Sequence, residues 1–239
     1  MMIIENPKIK TAVILAGGEG LRLRPLTNDR PKPMIEVLGK PLIHWTINWL
    51  KKYGVEHVVI GVAYKKDAVI DYFGDGSKFG LNIEYSNHSI DGGTGEGFRL
   101  AITRFVDEDN FLAMNGDELS NLNVDELSKF HLGHKPVATI VVSPLKSPFG
   151  IIATDKDDSV VSFIEKPTIE SVLVSTGIYM FNKKIVDFIP EKGSIEKITF
   201  PLLVTNKMLK AYRFNGKWIT INNLKDIQLA EDTLSSWKE

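Results

Sequence analysis

Apolar positions along the chain fall into two alternating rhythms. TAVILAGG, VEHVVIGVAY and NFLAMNGD are nearly continuous apolar runs that stop at glycine or a polar residue, the pattern of strands buried on both faces. LNIEYS is a shorter strand and VATIVVS another. Between them PLIHWTINWLKKYG, KKDAVIDYFGDG, EGFRLAITRF and NVDELSKFHLG space their apolar residues as helices do. Pro41 suits a first turn and Gly54 a C-terminal stop. Asn123, with Glu126 three residues on, reads as a helix cap. This alternation predicts an α/β fold, a Rossmann-like, mostly parallel central sheet flanked by helices. Beyond Pro144 the rhythm changes. FGIIATD, SVVSFIEK and VLVSTGIYMF predict strands in quick succession, as in a hairpin-rich extension. SIEKITFPLLVTNKML reads as helix with Pro201 a kink or restart, AYRFNGKWITI as a late hairpin, and NLKDIQLAEDTLSSW as a closing helix.

Composition narrows this picture. The 239 residues are 43% hydrophobic and 25% charged, enough for one large domain or two small ones. The chain has no cysteine, which removes disulfides, thiol chemistry and cysteine-ligated metal and suits a reducing compartment. MMIIENPKIK is too short and polar for a signal peptide. No apolar run reaches bilayer-spanning length. The expectation is a cytoplasmic protein with no membrane association. A formal net charge of -1 offers no global field for nucleic acid, so an anionic ligand must be held by a local cluster.

Such a cluster stands in LAGGEGLRLRPLTNDRPKPM, which follows the first buried run. Gly17, Gly18 and Gly20 let the backbone approach a ligand and expose its N–H groups. Arg22 and Lys32 add charge matched to phosphate oxygens, and Pro31 and Pro33 restrict where Lys32 can point. The string is neither of two familiar phosphate loops. A Walker loop needs Gly-Lys-hydroxyl where Gly20 is followed by Leu21, and a dinucleotide fingerprint needs a third glycine where Leu23 stands. A mobile, solvated loop would have no use for a lysine locked between prolines.

LAGGEGLRLRPLTNDRPKPMIEVLGKPLI resembles the signature of the sugar-phosphate nucleotidyltransferases, the NDP-sugar pyrophosphorylases, and the likeness extends over nearly the whole chain. The resemblance implies a single nucleotidyltransferase domain over 1–239, with 9–143 the nucleotide-binding part and 144–239 the sugar-phosphate-binding part and closing helix. It implies a nucleoside triphosphate and a sugar 1-phosphate, with a hexose favoured, as substrates, an NDP-sugar and pyrophosphate as products, and Mg²⁺ as cofactor. By this likeness Arg22 and Lys32 hold the triphosphate, while Leu15, Ala16, Gly17, Gly18 and Gly20 line the nucleotide. Leu21 replaces the family's usual threonine.

The resemblance carries to further segments. In MNGDELSN it makes Asp117 a magnesium ligand, with Asn115 and Gly116 beside the nucleotide; alone, the segment would read as an Asn-Gly turn. In FIEKP it puts Glu165 on the sugar hydroxyls and Lys166 on the sugar phosphate. Thr176 and Gly177 match a sugar-contacting segment in which Ser175 replaces asparagine, and Gly150 stands where the family sets a glycine amide against the sugar. GKWITINNLKD follows the spacing of glucose-1-phosphate cytidylyltransferases from Trp218 to Asp226, with Asn222 replacing the second metal-binding aspartate. TGEGFRL is a second cytidylyltransferase-like feature, and Gly92, Gly93 and Thr94 are expected by the base or ribose.

Asn222 brings an oxygen but no charge, so a catalytically weak or inactive relative that binds nucleotide sugar stays open beside the active enzyme. A nicotinamide-dependent oxidoreductase is disfavoured by the failed fingerprint. The histidines show no metal-ligand spacing; His131 and His134 could chelate in principle, but surface or cap positions are the expectation. Trp45 and Trp49, four apart on a helix, read as core or subunit contact, and a homo-oligomer is compatible. The last helix ends close to the C-terminus, which predicts a stand-alone transferase without the left-handed β-helix of longer relatives.

Overall fold

The computed structural model describes residues 8–237, so the first seven residues of MMIIENPKIK lie outside it. In chain order the strands and α-helices are β1 (Thr11–Leu15), β2 (Glu36–Val37), β3 (Lys40–Pro41), α1 (Leu42–Lys52), β4 (His57–Val62), α2 (Asp67–Phe73), β5 (Asn82–Asn87), α3 (Gly93–Phe105), β6 (Asn110–Asn115), β7 (Glu118–Ser120) and α4 (Val124–His134). The chain continues through β8 (Ala138–Lys146), β9 (Ile151–Thr154), β10 (Val160–Ile164), β11 (Thr168–Asn182), α5 (Thr199–Thr205), β12 (Leu209–Arg213), β13 (Trp218–Thr220) and α6 (Leu224–Ser236).

A seven-stranded sheet in the order β12-β8-β11-β6-β1-β4-β5 forms the centre. All its neighbours run parallel except β11, which is antiparallel to both β6 and β8. The continuous apolar runs follow from burial on both faces. In β1, Ala12 and Ile14 pack toward Ile43, Ile47 and Leu50 of α1 and Leu127 of α4. Val13, between them, faces Phe98 and Ile102 of α3 and Leu203 of α5. Each fully buried side chain of this size stabilises the fold by roughly 1.5–3 kcal/mol relative to exposure.

The capping expectation at α4 holds: Asn123 Oδ1 accepts from the amides of Asp125 (3.0 Å) and Glu126 (3.2 Å). The closing helix also forms, and with β7 and β13 it encloses a third cluster containing Leu119, Ile219, Ile221, Ala230 and Leu234.

Two segments differ from their sequence reading. The helix expected through SIEKITFPLLVTNKML is confined to Thr199–Thr205, with Pro201 in its first turn, so the proline sits where its missing N–H costs nothing. AYRFNGKWITI is not a hairpin. β12 lies parallel to β8, and β13 lies antiparallel to β7 in a separate small sheet. Phe214, buried, donates its N–H to Val142 O at 2.8 Å and prolongs the first pairing, while Lys217 N–H reaches Asn121 Oδ1 at 2.8 Å and starts the second. The two halves therefore bind different partners rather than each other.

Candidate active site

β1 and β6 run side by side in register, Leu15 opposite Asn115, and both point their carboxyl ends into one cleft of about 280 Å³. Ligands of open α/β sheets sit at such ends. The glycine loop contributes Leu15, Gly17 and Gly18 to the walls, the proline-flanked turn contributes Lys32 and Pro33, and β6 and its exit contribute Asn115 and Asp117. The loop into α3 supplies His88, Ile90, Gly93 and Thr94. Ala16, Gly20, Gly92 and Gly116, also expected at the nucleotide, do not line the cleft. Ala16 N–H donates to Gly61 O at 2.7 Å, which ties the β1 exit to β4, and Gly116 N–H donates to Leu15 O at 2.8 Å, which ties it to the β6 exit.

Lys32 begins a 3₁₀ turn, Lys32–Met34, between Pro31 and Pro33. Its side chain is 14% exposed. Its ammonium donates to Asp117 Oδ2 and, at 3.2 Å, to Asn222 Oδ1. Asp117 leads into β7 and Asn222 leaves β13, so the pairing of those strands brings the two oxygens to one point. Asn222 is fixed from behind: its N–H donates to Asp226 Oδ2 at 2.7 Å, and Asp226 and Asn223 form the capping box that starts α6.

Beneath Asp117 lies Glu118, 6% exposed, which accepts from Trp218 Nε1 at 2.7 Å. Burial, reinforced by the Asp117 charge, holds its carboxyl well above the usual range. Gly177, with φ +73°, packs against Asn115 and Glu118, and a Cβ there would stand 2.9 Å from both Asn115 Nδ2 and Glu118 Oε1. Only glycine meets both demands.

Other expected residues lie elsewhere. Arg22 is exposed on a 3₁₀ turn and makes no ion pair among the described residues. Glu165 and Lys166 are exposed at the end of the β9–β10 hairpin and pair with each other at 3.6 Å. Gly150 lies against the Phe163 ring and the Glu165 carboxylate. None of these lines the cleft. Thr176 is fully buried, and its hydroxyl donates to Val141 O at 3.0 Å, so that hydroxyl is committed within the protein.

His88 is a wall residue that sequence pattern does not single out. Its ring packs so closely on Gly17 that a Cβ there would fall 2.6 Å from Cε1. Nδ1 donates to Ser89 O at 3.0 Å, and the buried Nε2 has no partner among the described residues. Only the fold shows that an isolated histidine faces the glycine loop. His131 corrects the surface-or-cap expectation: it is 1% exposed, bonded to Thr139 and Asn110.

Among the described residues no group of three or more His, Asp or Glu side chains gathers as a metal site. The oxygens of Asp117 and Asn222 nevertheless converge on one cationic group, the Lys32 ammonium. One carboxylate and one amide oxygen suit Mg²⁺, which takes few protein ligands and completes its shell with phosphates and water.

The sequence profile of the nucleotidyl transferase family matches residues 11–236. The chain belongs to that family. A nucleotidyl transferase from Mycobacterium tuberculosis, a mannose-1-phosphate guanylyltransferase, is 36% identical over 211 residues, covering 85% of this chain and 58% of that protein. A UTP–glucose-1-phosphate uridylyltransferase of Synechocystis is 31% identical over 236 residues, covering 90% of this chain and 61% of that one. The chain thus spans about three fifths of the length of these curated relatives. Among solved structures, HddC from Yersinia pseudotuberculosis, also crystallised with GMP-PN, superposes with TM-score 0.75 at 26% identity, covering 95% of this chain and 100% of that one. No helix among the described residues is long and apolar enough to cross a membrane.

Proposed function

We propose that this nucleotidyl transferase joins a nucleoside triphosphate to a sugar 1-phosphate, releasing pyrophosphate and an NDP-sugar, with Mg²⁺ as cofactor. The observation that carries the reading is the meeting of Lys32, Asp117 and Asn222 at the mouth of a glycine-lined cleft. The names of the relatives, one acting on mannose 1-phosphate and one on glucose 1-phosphate, support a hexose 1-phosphate as acceptor. Residues 9–143 are read as the nucleotide-binding part and 144–239 as the sugar-phosphate part of one domain. The cysteine-free sequence supports a cytoplasmic setting.

In the reaction a phosphate oxygen of the sugar 1-phosphate attacks the α-phosphorus, the bond to the bridging oxygen breaks, and pyrophosphate leaves with that electron pair. No protein nucleophile is required. The chain's task is to hold two mutually repelling anions in line and to offset charge at the reacting phosphorus. The amides of Gly17 and Gly18 and the Lys32 cation hold the triphosphate in the cleft, Arg22 is assigned to it by the family likeness from its exposed turn, and Gly93, Thr94 and Asn115 flank the nucleoside. By the family likeness Lys166, exposed outside the cleft, is assigned the sugar phosphate, with Gly150, Glu165 and the Gly177 backbone assigned to the sugar. Asp117 and Asn222 would hold Mg²⁺, which when bound neutralises phosphate charge.

A panel of nucleoside triphosphates against hexose 1-phosphates, read by pyrophosphate release with Mg²⁺, tests the proposal. Release with at least one pair is expected. Binding of NDP-sugars without release from any pair would make the chain a non-catalytic binder, and the absence of both binding and release would refute the reading.

A further inference from the structure

Strand β6 carries a cavity at each end. Asn115 opens into the catalytic cleft, and Asn110 opens into a second cavity of about 530 Å³ on the opposite edge of the sheet. Six residues of extended chain set the two roughly 17 Å apart. The second cavity is ringed by Lys135, Lys184, Lys207 and Lys210, and among the described residues no carboxylate lines it. Among the described residues none of these four ammonium groups makes an ion pair or a side-chain hydrogen bond. In a chain of formal net charge -1 this is a local excess of cations.

Helix ends explain part of it. Lys135 caps α4 and Lys207 lies just past α5, where cations complement the carbonyl ends of helices. Two helix ends supply about half a negative charge each, against four unit charges from the lysines. The cavity stays positive. Lys184 and Lys210 are not at α-helix C-termini at all.

The floor adds a donor of fixed orientation. Burial lowers the His131 imidazole to about 4, so it is neutral with one N–H. The Thr139 hydroxyl donates to Nδ1 at 2.8 Å, and Nε2–H donates to Asn110 Oδ1 at 3.1 Å. Asn182 Nδ2 donates to the same oxygen at 3.1 Å. With its carbonyl taken twice, Asn110 has only its amide Nδ2 left to offer, and this makes no hydrogen bond among the described residues. Ammonium groups and an amide thus meet in one concavity as donors without acceptors.

We propose that this cavity binds a small molecule carrying two or more phosphate groups, at a site separate from the catalytic cleft. Lysine ammoniums serve as point charges for phosphate oxygens, and the volume is that of ordinary small-molecule pockets. A polyanion would also relieve the mutual repulsion of the lysines.

Lysine footprinting with an amine-reactive ester, read by mass spectrometry on the full chain, reports each site separately. Pyrophosphate without Mg²⁺ is expected to protect Lys184, Lys207 and Lys210 at sub-millimolar concentration, while sodium chloride of equal ionic strength does not. Replacing Lys184→Gln, Lys207→Asn and Lys210→Gln together should weaken the protection of Lys135 by about tenfold or more, the scale of lost charge-assisted bonds. These are exposed side chains, and asparagine tolerates the left-handed backbone of Lys207 (φ 58°), so the variant should fold. Equal protection by chloride, or protection confined to Lys32, would overturn the proposal and leave solvated surface charge. Protection by RNA but not by pyrophosphate would overturn it as well. The readout needs no turnover, so its failure is separate from any failure of the proposed reaction.

Discussion

Lys32 and Asp117, 85 positions apart in sequence, meet ammonium to carboxylate at the mouth of the cleft, and Asn222 shares the same ammonium at 3.2 Å. Replacing Lys32 by alanine removes the hub of this cluster while leaving the core untouched. Turnover in pyrophosphate release should fall by on the order of 10²–10³, the usual loss for one charge-stabilising contact. The unfolding midpoint should move little. Near-normal turnover in Lys32→Ala would take the lysine out of the reaction.

Asn222→Asp restores a second charge beside Asp117. Charge count tunes the affinity of oxygen-ligated cations, so Mn²⁺ used as a spin probe for Mg²⁺ should bind about tenfold tighter. Titration followed by electron paramagnetic resonance, with a triphosphate present, reads this without turnover. Unchanged binding would exclude Asn222 from the metal's ligands.

Asn223 holds the first turn of α6, accepting from Lys225 N at 2.9 Å and Asp226 N at 3.3 Å. Asn223→Ala should cost about 1 kcal/mol in urea unfolding. Because Asp226 also accepts from the Asn222 amide, the same change should loosen Asn222 and lower turnover more than it lowers stability. A stability loss with no change in turnover would show that the cap and the cleft are independent.

His131 gives the fold a pH dependence. Its pKa is depressed from 6.5 to about 4 by burial. The unfolded chain therefore takes up this proton first as pH falls, and the native state loses stability from about pH 6.5 down to about 4. The full loss is roughly 3 kcal/mol, since each tenfold change in proton affinity is worth about 1.4 kcal/mol. Above pH 6.5 both states are neutral and the contribution is constant. Urea unfolding across this range should show the slope in the native chain and its absence in His131→Gln. Equal slopes in both would assign the acid sensitivity to carboxylates instead.

Much of the fold was legible in local pattern. β1, β4 and β6 announce themselves as apolar runs because both faces of the sheet are covered, and the α4 cap at Asn123 is a matter of three neighbouring residues. β11 was legible as a strand but not as the antiparallel insert between β6 and β8, since periodicity names a face and never a partner. The supposed hairpin around Asn215 and Gly216 failed for the same reason: each half pairs with a strand remote in sequence. His88 carried no signal, because a single histidine has no spacing to read, and the three-residue spacing of His131 and His134 says nothing of the burial that His131 finds in the fold.

By itself the sequence determined what is local: which stretches extend or coil, where helices start, and that Lys32 is locked between two prolines after a glycine loop. Tertiary structure alone decided what Lys32 meets. Asn222 lies 190 positions away, and it reaches that ammonium only because β13 pairs with β7 and the α6 cap holds it there. Such a contact depends on closing long loops around a packed core, an outcome of the whole chain's burial that no window of neighbouring residues contains.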